Sequence, residues 1–166
     1  MAKYVIKKSN KLVPSDAMKK IAHVKNKNIY KQAAKNPIKF WEKLATEGLD
    51  WEKKWTKAYE QKLPYFKWFK GGKINFSKNC LDRHLENKSD KVAITWVPEP
   101  TKEKTIKLTY KELHEKVCKF ANVLKKHKIK KGDVVSIYLP MIPEAIIAML
   151  ACTRIGAIHS VVFSAF

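Results

Sequence analysis

Arginine is nearly missing from a chain that is otherwise strongly basic. The 35 basic residues include only two arginines, Arg83 and Arg154, so lysine supplies almost all of the positive charge behind the net charge of +20. Proteins that read nucleic acid rely on arginine, because its planar guanidinium matches phosphate and guanine. Lysine is spread along the whole sequence instead, which predicts a surface that attracts polyanions without selectivity. We therefore expect no specific nucleic-acid partner.

Glycine and cysteine are also scarce, and their placement argues against several kinds of site. With only five glycines, the chain contains no Gly-x-Gly-x-x-Gly or Gly-x-x-x-x-Gly-Lys-Ser/Thr phosphate loop. Cys80, Cys118 and Cys152 lie far apart and form no Cys-x-x-Cys pair, which argues against a disulfide framework and a zinc site. We expect no metal ligands and a reducing, cytoplasmic environment.

Long apolar runs are absent as well. The N-terminal residues lack the apolar stretch of a signal peptide, and the longest apolar region, near 145–152, is too short to span a membrane. We expect no membrane partner. The composition, 45% hydrophobic and 11% aromatic, is nevertheless sufficient for a folded core.

The first half of the chain divides into two predicted segments. Residues 1–27 are rich in lysine and predict a loose basic tail with a short helix near 15–25. Residues 28–87 predict a helical and irregular segment with one helix that starts at Pro37 and ends at Gly48 and a short helix over 79–87. Between these helices, aromatic residues at about fourfold spacing predict a packing surface rather than a ligand cage; they are Trp51, Trp55 and Tyr59.

The second half, residues 88–166, predicts an α/β arrangement. Two β-rich runs, 92–97 and 105–109, predict a hairpin. Thr109 and Glu112 form a capping-box pattern that opens an amphipathic helix. A strand over 134–139, a helix over 144–155 and a strand over 157–163 then predict a βαβ unit, because both strands are apolar on both faces as buried parallel strands are.

Few residues have the spacing of catalytic groups. Cys80 and His84 are four positions apart, a spacing at which a cysteine nucleophile and a histidine base could pair. A buried thiol beside a surface imidazole is the favoured interpretation. Asp82 and Arg83 predict a local ion pair. His159, in an apolar strand, predicts a hydrogen-bonded core histidine rather than a ligand.

The segment 68–84 is the most distinctive part of the sequence, with its Gly-Gly turn and its Cys-Leu-Asp-Arg-His run. Further motifs lie on both sides of it, at Asn36-Pro37, Phe40-Trp41, 49–52, 109–113, 131–133, 138–144 and 148–163. The order of these motifs resembles the AMP-forming acetyl-CoA synthetases, that is the acetate–CoA ligases of the acyl-adenylate-forming superfamily.

The resemblance implies a two-step reaction in which acetate and ATP give acetyl-adenylate and coenzyme A (CoA) then displaces AMP. It implies ATP, Mg²⁺ and CoA as the ligands of the full-length enzyme, and the remainder of the synthetase as a partner of this chain in cis or in trans. Residues 28–87 would be the synthetase-type N-terminal segment, and 88–166 the beginning of a truncated AMP-binding large domain. The family's ATP loop and catalytic lysine would lie beyond residue 166. We therefore expect no catalytic residue here, no tight ligand binding and no activity from this chain alone.

One candidate binding position follows from the resemblance. Ser164 and Ala165 occupy a small-residue pair that lies near the CoA pantetheine arm in the resembling synthetases. Ligands bind beyond the carboxyl ends of strands in open parallel sheets, and this pair follows the last predicted strand. An ordinary strand exit is an equally good interpretation of these two residues.

Two alternatives stay open at this stage. Aromatic residues interleaved with lysine over 40–69 would also suit a non-catalytic module that binds nucleic acid or protein. A ligase for propionate or another short-chain acid would share every motif above, since the acyl pocket lies outside the chain.

Overall fold

The computed structural model describes residues 5–100 and 102–164. The chain divides by its internal contacts into two units, one within the first 48 residues and one from Leu49 onward. The predicted boundaries, after residues 27 and 87, follow family resemblance rather than contacts and stay a prediction.

The first unit combines a small hairpin with three helices. Its elements are β1 (Val5–Lys8), β2 (Lys11–Pro14), α1 (Asp16–Ile21), α2 (Asn28–Lys35) and α3 (Pro37–Gly48). The helix predicted near 15–25 is α1, which Ser15 caps by accepting a hydrogen bond at Oγ from the backbone N–H of Met18, 3.2 Å away. The helix predicted from Pro37 to Gly48 is confirmed as α3. The antiparallel β1–β2 hairpin was not predicted, because its four-residue strands are short, lysine-rich and largely exposed.

The second unit opens with an aromatic hairpin that was not predicted from the sequence. Its strands are β3 (Lys57–Lys62) and β4 (Tyr65–Lys70), which pair antiparallel. The ring centroids of Trp51 and Phe69 each lie 4.8 Å from that of Trp55. The predicted packing role of these aromatic residues is therefore confirmed. A Cβ atom at Gly72 would lie 2.6 Å from the Trp51 ring, so only glycine fits at this position without a steric clash.

The segment after the hairpin is broken into short turns. It comprises α4 (Phe76–Cys80), a 3-10 turn (Asp82–His84) and α5 (Leu85–Lys88). A single helix over 79–87 was predicted, and that prediction is wrong at Leu81, where φ is −122° and ψ is −65°. Leu81 is 1% exposed and belongs to the main core. Burying this side chain favours the local break over helical hydrogen bonding.

The elements that follow match the predicted pattern closely. β5 (Val92–Trp96) and β6 (Ile106–Thr109) form an antiparallel hairpin, and α6 (Tyr110–Lys126) follows. Both halves of the capping box are present: the backbone N–H of Glu112 donates to Thr109 Oγ1, and its carboxylate accepts from the backbone N–H of Thr109. The buried face of α6 carries Leu113, Val117, Ala121 and Leu124.

The predicted βαβ unit is also confirmed. β7 (Val134–Ile137) and β8 (Ile158–Val161) pair parallel, with α7 (Pro143–Ile155) between them. Pro143 lies in the first turn of α7, and Gly156 ends it with φ 78°. The α/β class holds, and α6 and α7 pack in one core. The two strands are not buried as predicted, since Val134 and Ile158 are 62% and 54% exposed. Within the described residues, no helix is both long and apolar enough to cross a bilayer.

Candidate functional site

The carboxyl ends of β7 and β8 form the edge at which a ligand was predicted. The hydroxyl of Ser164 donates to the backbone carbonyl of Leu139 over 2.9 Å. The backbone N–H of Val162 donates to the carbonyl of Ile137 over 2.9 Å, which extends the ladder just past the strands. The chain leaving β8 is thereby tied to the chain leaving β7. Ala165, the second predicted residue, lies outside the described residues.

Large apolar side chains are exposed at the same edge. Tyr138, Met141 and Phe163 are 67%, 85% and 67% exposed. The indole N–H of Trp96 donates to the backbone carbonyl of Met141 over 2.7 Å, which fixes the loop after β7 against the end of β5. These residues form a shelf, which we call the strand-end shelf: Trp96, Tyr138, Met141, Phe163 and Ser164. Its aromatic and apolar surface suits binding of a flexible ligand, and these five residues offer no acid–base pair.

A polar cluster that the sequence did not reveal lies at the other end of α7. Arg154 Nη1 and Nη2 donate to the two carboxylate oxygens of Asp82 over 2.7 and 2.8 Å. His114 Nε2 lies 3.3 Å from Arg154 Nη2 and 3.5 Å from Asp82 Oδ1. The hydrogen bond from Arg154 holds the pKa of Asp82 below its ordinary value, and the same bond raises the pKa of Arg154.

The predicted ion pair between Asp82 and Arg83 is wrong. Arg83 lies 3.8 Å from Asp50 and donates to Asn79 over 3.2 Å, while Asp82 binds Arg154, 72 positions away. The 3-10 turn directs the two neighbouring side chains to different partners. Spacing in the sequence could not indicate a contact at that separation.

A cleft of about 580 Å³ borders the polar cluster. Its charged lining is of both signs, with Lys78 and Lys125 facing it alongside Glu52 and Asp82. Cys118 also lines it, and the Sγ atom lies 3.5 Å from His114 Nε2. The spacing of these two residues on α6, i and i+4, was the available signal for this contact. Cys118 Sγ, Arg154 Nη2 and Asp82 Oδ1 approach the same ring nitrogen of His114. In a catalytic triad the nucleophile and the orienting acid bind different ring nitrogens, so this cluster does not have triad geometry.

The Cys80–His84 pair does not have the features of a nucleophile site. Burial raises the pKa of the Cys80 thiol, which disfavours the thiolate. The His84 ring packs on Tyr110 with centroids 5.0 Å apart, and desolvation is the main cause that lowers the pKa of His84. His159 is half-buried and lines a separate apolar cavity of about 310 Å³. In residues 5–100 and 102–164, no group of three or more histidine, cysteine, aspartate or glutamate side chains is arranged to hold a metal ion.

The Asp82–Arg154 pair predicts a pH-dependent contribution to stability. Replacing Asp82 with asparagine (Asp82→Asn) is expected to lower the free energy of unfolding at pH 7 by about 1–2 kcal/mol, because a charge-assisted bidentate contact becomes a neutral one. The folded pKa of Asp82 is lowered, so its contribution is present above the unfolded value of about 3.9 and is lost as pH falls through the folded value.

Urea unfolding of the two proteins at pH 7 and again near pH 2 measures this difference. The exposed Asp90, replaced in the same way, is the control and should change stability by less than about 0.5 kcal/mol. If Asp82→Asn lowers the free energy of unfolding as much near pH 2 as at pH 7, the electrostatic explanation is wrong.

Comparisons with known proteins agree with the motifs. The profile of the AMP-binding enzyme family matches residues 81–166, more than half of the chain, and that of the acetyl-coenzyme A synthetase N-terminus matches residues 26–80. The chain therefore belongs to the AMP-binding enzyme family. The resemblance drawn from the motifs is confirmed.

Individual relatives are similar to a limited part of their own length. An acetyl-coenzyme A synthetase of Bdellovibrio bacteriovorus is 51% identical over 159 residues, which is 93% of this chain and 24% of that protein. Acetyl-coenzyme A synthetase 2 of Pseudomonas aeruginosa is 46% identical over 91% of this chain and 24% of that protein. The solved acetoacetyl-CoA synthetase of Streptomyces lividans superposes with a TM-score of 0.74 at 25% identity, over 82% of this chain and 21% of that one. The chain spans about a quarter of the length of the curated relatives it matches.

Proposed function

We propose that this chain forms the N-terminal part of an AMP-forming acetate–CoA ligase. The observation that carries the proposal is the continuous match of two adjoining family profiles, one for the synthetase N-terminus and one for AMP-binding enzymes, over residues 26–166. The parallel β7–β8 pair with an open carboxyl edge supports it, because ligands of open α/β sheets bind at that edge.

The reaction we propose for the whole protein has two steps. An acetate oxygen attacks the α-phosphorus of ATP, which gives acetyl-adenylate and releases pyrophosphate. The thiol of CoA then attacks the acetyl carbonyl, which gives acetyl-CoA and releases AMP. A bound Mg²⁺ would neutralise phosphate charge during the first step. None of the chain's described clusters has the makeup of a phosphate or magnesium site, so we assign none of the chemistry to its residues.

Within that reaction, the part we assign to this chain is to bind CoA at the strand-end shelf. Ser164 and Ala165 are both small, so the backbone there can approach the pantetheine arm closely. The pantetheine arm is long and flexible and carries methyl and methylene groups, which suit the exposed aromatic and apolar surface of the shelf. The domain division follows the same proposal: 1–27 as a basic tail, 28–87 as the synthetase N-terminal segment and 88–166 as the start of the AMP-binding domain.

The partners and the compartment belong to the same proposal. The remainder of a synthetase, in cis or in trans, is the main partner, and acetate, ATP and CoA are the small molecules. A cytoplasmic location agrees with free cysteines at all three described positions.

The experiment expresses the complete reading frame to which these 166 codons belong. If that frame ends at Phe166, the chain is fused instead to the remaining three quarters of the Bdellovibrio relative. We call the full-length protein from either route the complete synthetase. We expect acetate-dependent pyrophosphate release and formation of acetyl-CoA. A folded complete synthetase that performs neither half-reaction with acetate would overturn the proposal.

Ser164 provides a test of the CoA position. Replacing it with leucine (Ser164→Leu) is expected to raise the KM for CoA by ~10–100-fold, because the larger side chain occupies the space next to the strand exit. The acetate-dependent exchange of pyrophosphate into ATP should stay within about twofold, since that half-reaction needs no CoA. Ser164→Gly, which keeps the position small, is the matched control and should change the KM for CoA by less than about threefold. An unchanged KM in Ser164→Leu would remove CoA from this edge.

A further inference from the structure

The two arginines lie in one part of the fold. In a chain whose other basic residues are all lysine, Arg83 and Arg154 both contact residues of the short-helix segment 75–84. Arginine and lysine are not interchangeable where a planar fork must meet a carboxylate with two parallel hydrogen bonds. Arg154 has that bidentate geometry with Asp82, so the position requires more than a positive charge.

Two independent contacts fix the last turn of α7 to this segment. The first is the bidentate pair between Arg154 and Asp82. The second is a hydrogen bond of 3.0 Å from the side-chain amide of Asn75 to the backbone carbonyl of Arg154. Asn75 also caps α4, where its Oδ1 accepts from the backbone N–H of Lys78. One side-chain contact and one backbone contact together restrict both the position and the rotation of the turn.

The turn is joined to β8 by a very short connection. Only Gly156 and Ala157 separate α7 from β8, and the carbonyl of Gly156 accepts from the backbone N–H of Gly132 over 3.0 Å. The backbone N–H of Ile158 donates to the carbonyl of Asp133, which starts the pairing of β8 with β7. A displacement of the last turn of α7 is therefore transmitted directly to the start of β8, and along the strand to Ser164.

We propose that the Asp82–Arg154 pair, together with Asn75, is a positioning element that sets where β8 begins and so holds Ser164 in place at the strand-end shelf. The inference rests on the proposed function, because it concerns binding of CoA at that shelf. Arg154 and Asp82 do not touch the shelf. They act through α7 and β8, so their loss should affect CoA binding more than formation of the adenylate.

The test compares the same substitution at the two arginines of the complete synthetase. Arg154→Lys keeps the charge and removes the fork. Arg83→Lys is the matched control, because the described hydrogen bond and ion pair of Arg83 go to Asn79 and Asp50. Both proteins are assayed for the KM for CoA in acetyl-CoA formation and for acetate-dependent exchange of pyrophosphate into ATP. Hydrogen exchange at the amides of Ile158 and Val162 reports on β8 independently of CoA.

We expect Arg154→Lys to raise the KM for CoA on the order of tenfold. Pyrophosphate exchange should stay within about twofold, and the two β8 amides should exchange on the order of tenfold faster. Arg83→Lys should leave all three measurements within about twofold. An unchanged KM for CoA together with unchanged hydrogen exchange in β8 of Arg154→Lys would overturn the inference. An equal fall in the rates of both half-reactions would also overturn it, because it would indicate a general structural role.

Two further outcomes separate this inference from the proposed function. If Ser164→Leu leaves the KM for CoA unchanged but Arg154→Lys still speeds exchange in β8, the CoA position is rejected and the positioning of β8 is kept. If Arg154→Lys does not fold, Asp82→Asn is measured in its place, because it has nearly the same size. Failure of both proteins to fold would overturn a selective role for the pair.

Discussion

Supplied with acetate, ATP, Mg²⁺ and CoA, the purified 166-residue chain is expected to form no acetyl-CoA above a control without protein. The physical reason is that the sequence contains no glycine-rich loop to hold the ATP phosphates. Backbone N–H groups of a glycine-rich loop commonly do this, and the five glycines of this chain are used elsewhere. Gly48 and Gly156 end α3 and α7, Gly71 and Gly72 form the turn after β4, and Gly132 precedes β7.

The measurement is acetate-dependent release of pyrophosphate, which reports the first half-reaction and does not require CoA. The complete synthetase defined above is the positive control under the same conditions, and heat-denatured chain is the negative control. The difference between chain and complete synthetase should exceed ~10⁴-fold, because binding and orientation of ATP are both lost. Turnover by the chain alone, above background and dependent on acetate, would show that these residues contain a complete adenylation site.

Self-association of the purified chain is the second large effect that we expect. Val134 and Ile158 are partners in the parallel register and share one exposed face of the β7–β8 pair. Val162, which is 45% exposed and lies four positions after Ile158, extends the apolar surface of the same face. Parallel sheets normally have both faces covered, and each such side chain contributes about 1.5–3 kcal/mol when fully buried. Exposed apolar surface of this kind commonly leads to association.

Size-exclusion chromatography should give an apparent mass at least about twice that of the monomer, together with binding of a hydrophobic dye. The double substitution Val134→Lys and Ile158→Glu places opposite charges side by side on this face and should shift the chain toward monomer. Val123→Lys, on the outer face of α6 where Val123 is 44% exposed, is the matched control and should not. A monodisperse monomer of the unmodified chain, without dye binding, would show that the β7–β8 face needs no cover.

The periodic and capped elements could be predicted from the sequence, because their signals are local. The capping box at Thr109 and Glu112, the buried stripe of α6, and the proline and glycine at the two ends of α7 each specify a helix boundary within a few residues. Two apolar runs separated by a helix predicted the parallel β7–β8 pair. That prediction also placed Ser164 just beyond the second strand. Family membership was likewise visible in the order of the motifs and is confirmed by the two profile matches.

Only the tertiary structure decided the features that depend on partners distant in the sequence. Asp82 binds Arg154 rather than its neighbour Arg83, and Leu81 breaks the predicted helix because the side chain is buried in the core. The aromatic residues near Trp55 pack against a β-hairpin that was not predicted, because their spacing indicated a packing surface but not its partner. Local propensity is worth only a few tenths of a kcal/mol per residue, whereas burying one leucine or forming one charge-assisted pair is worth more. The sequence by itself therefore determined the class of fold and the edge at which a ligand is expected, and the packing of distant residues determined where the predicted helix breaks and which charged side chains pair.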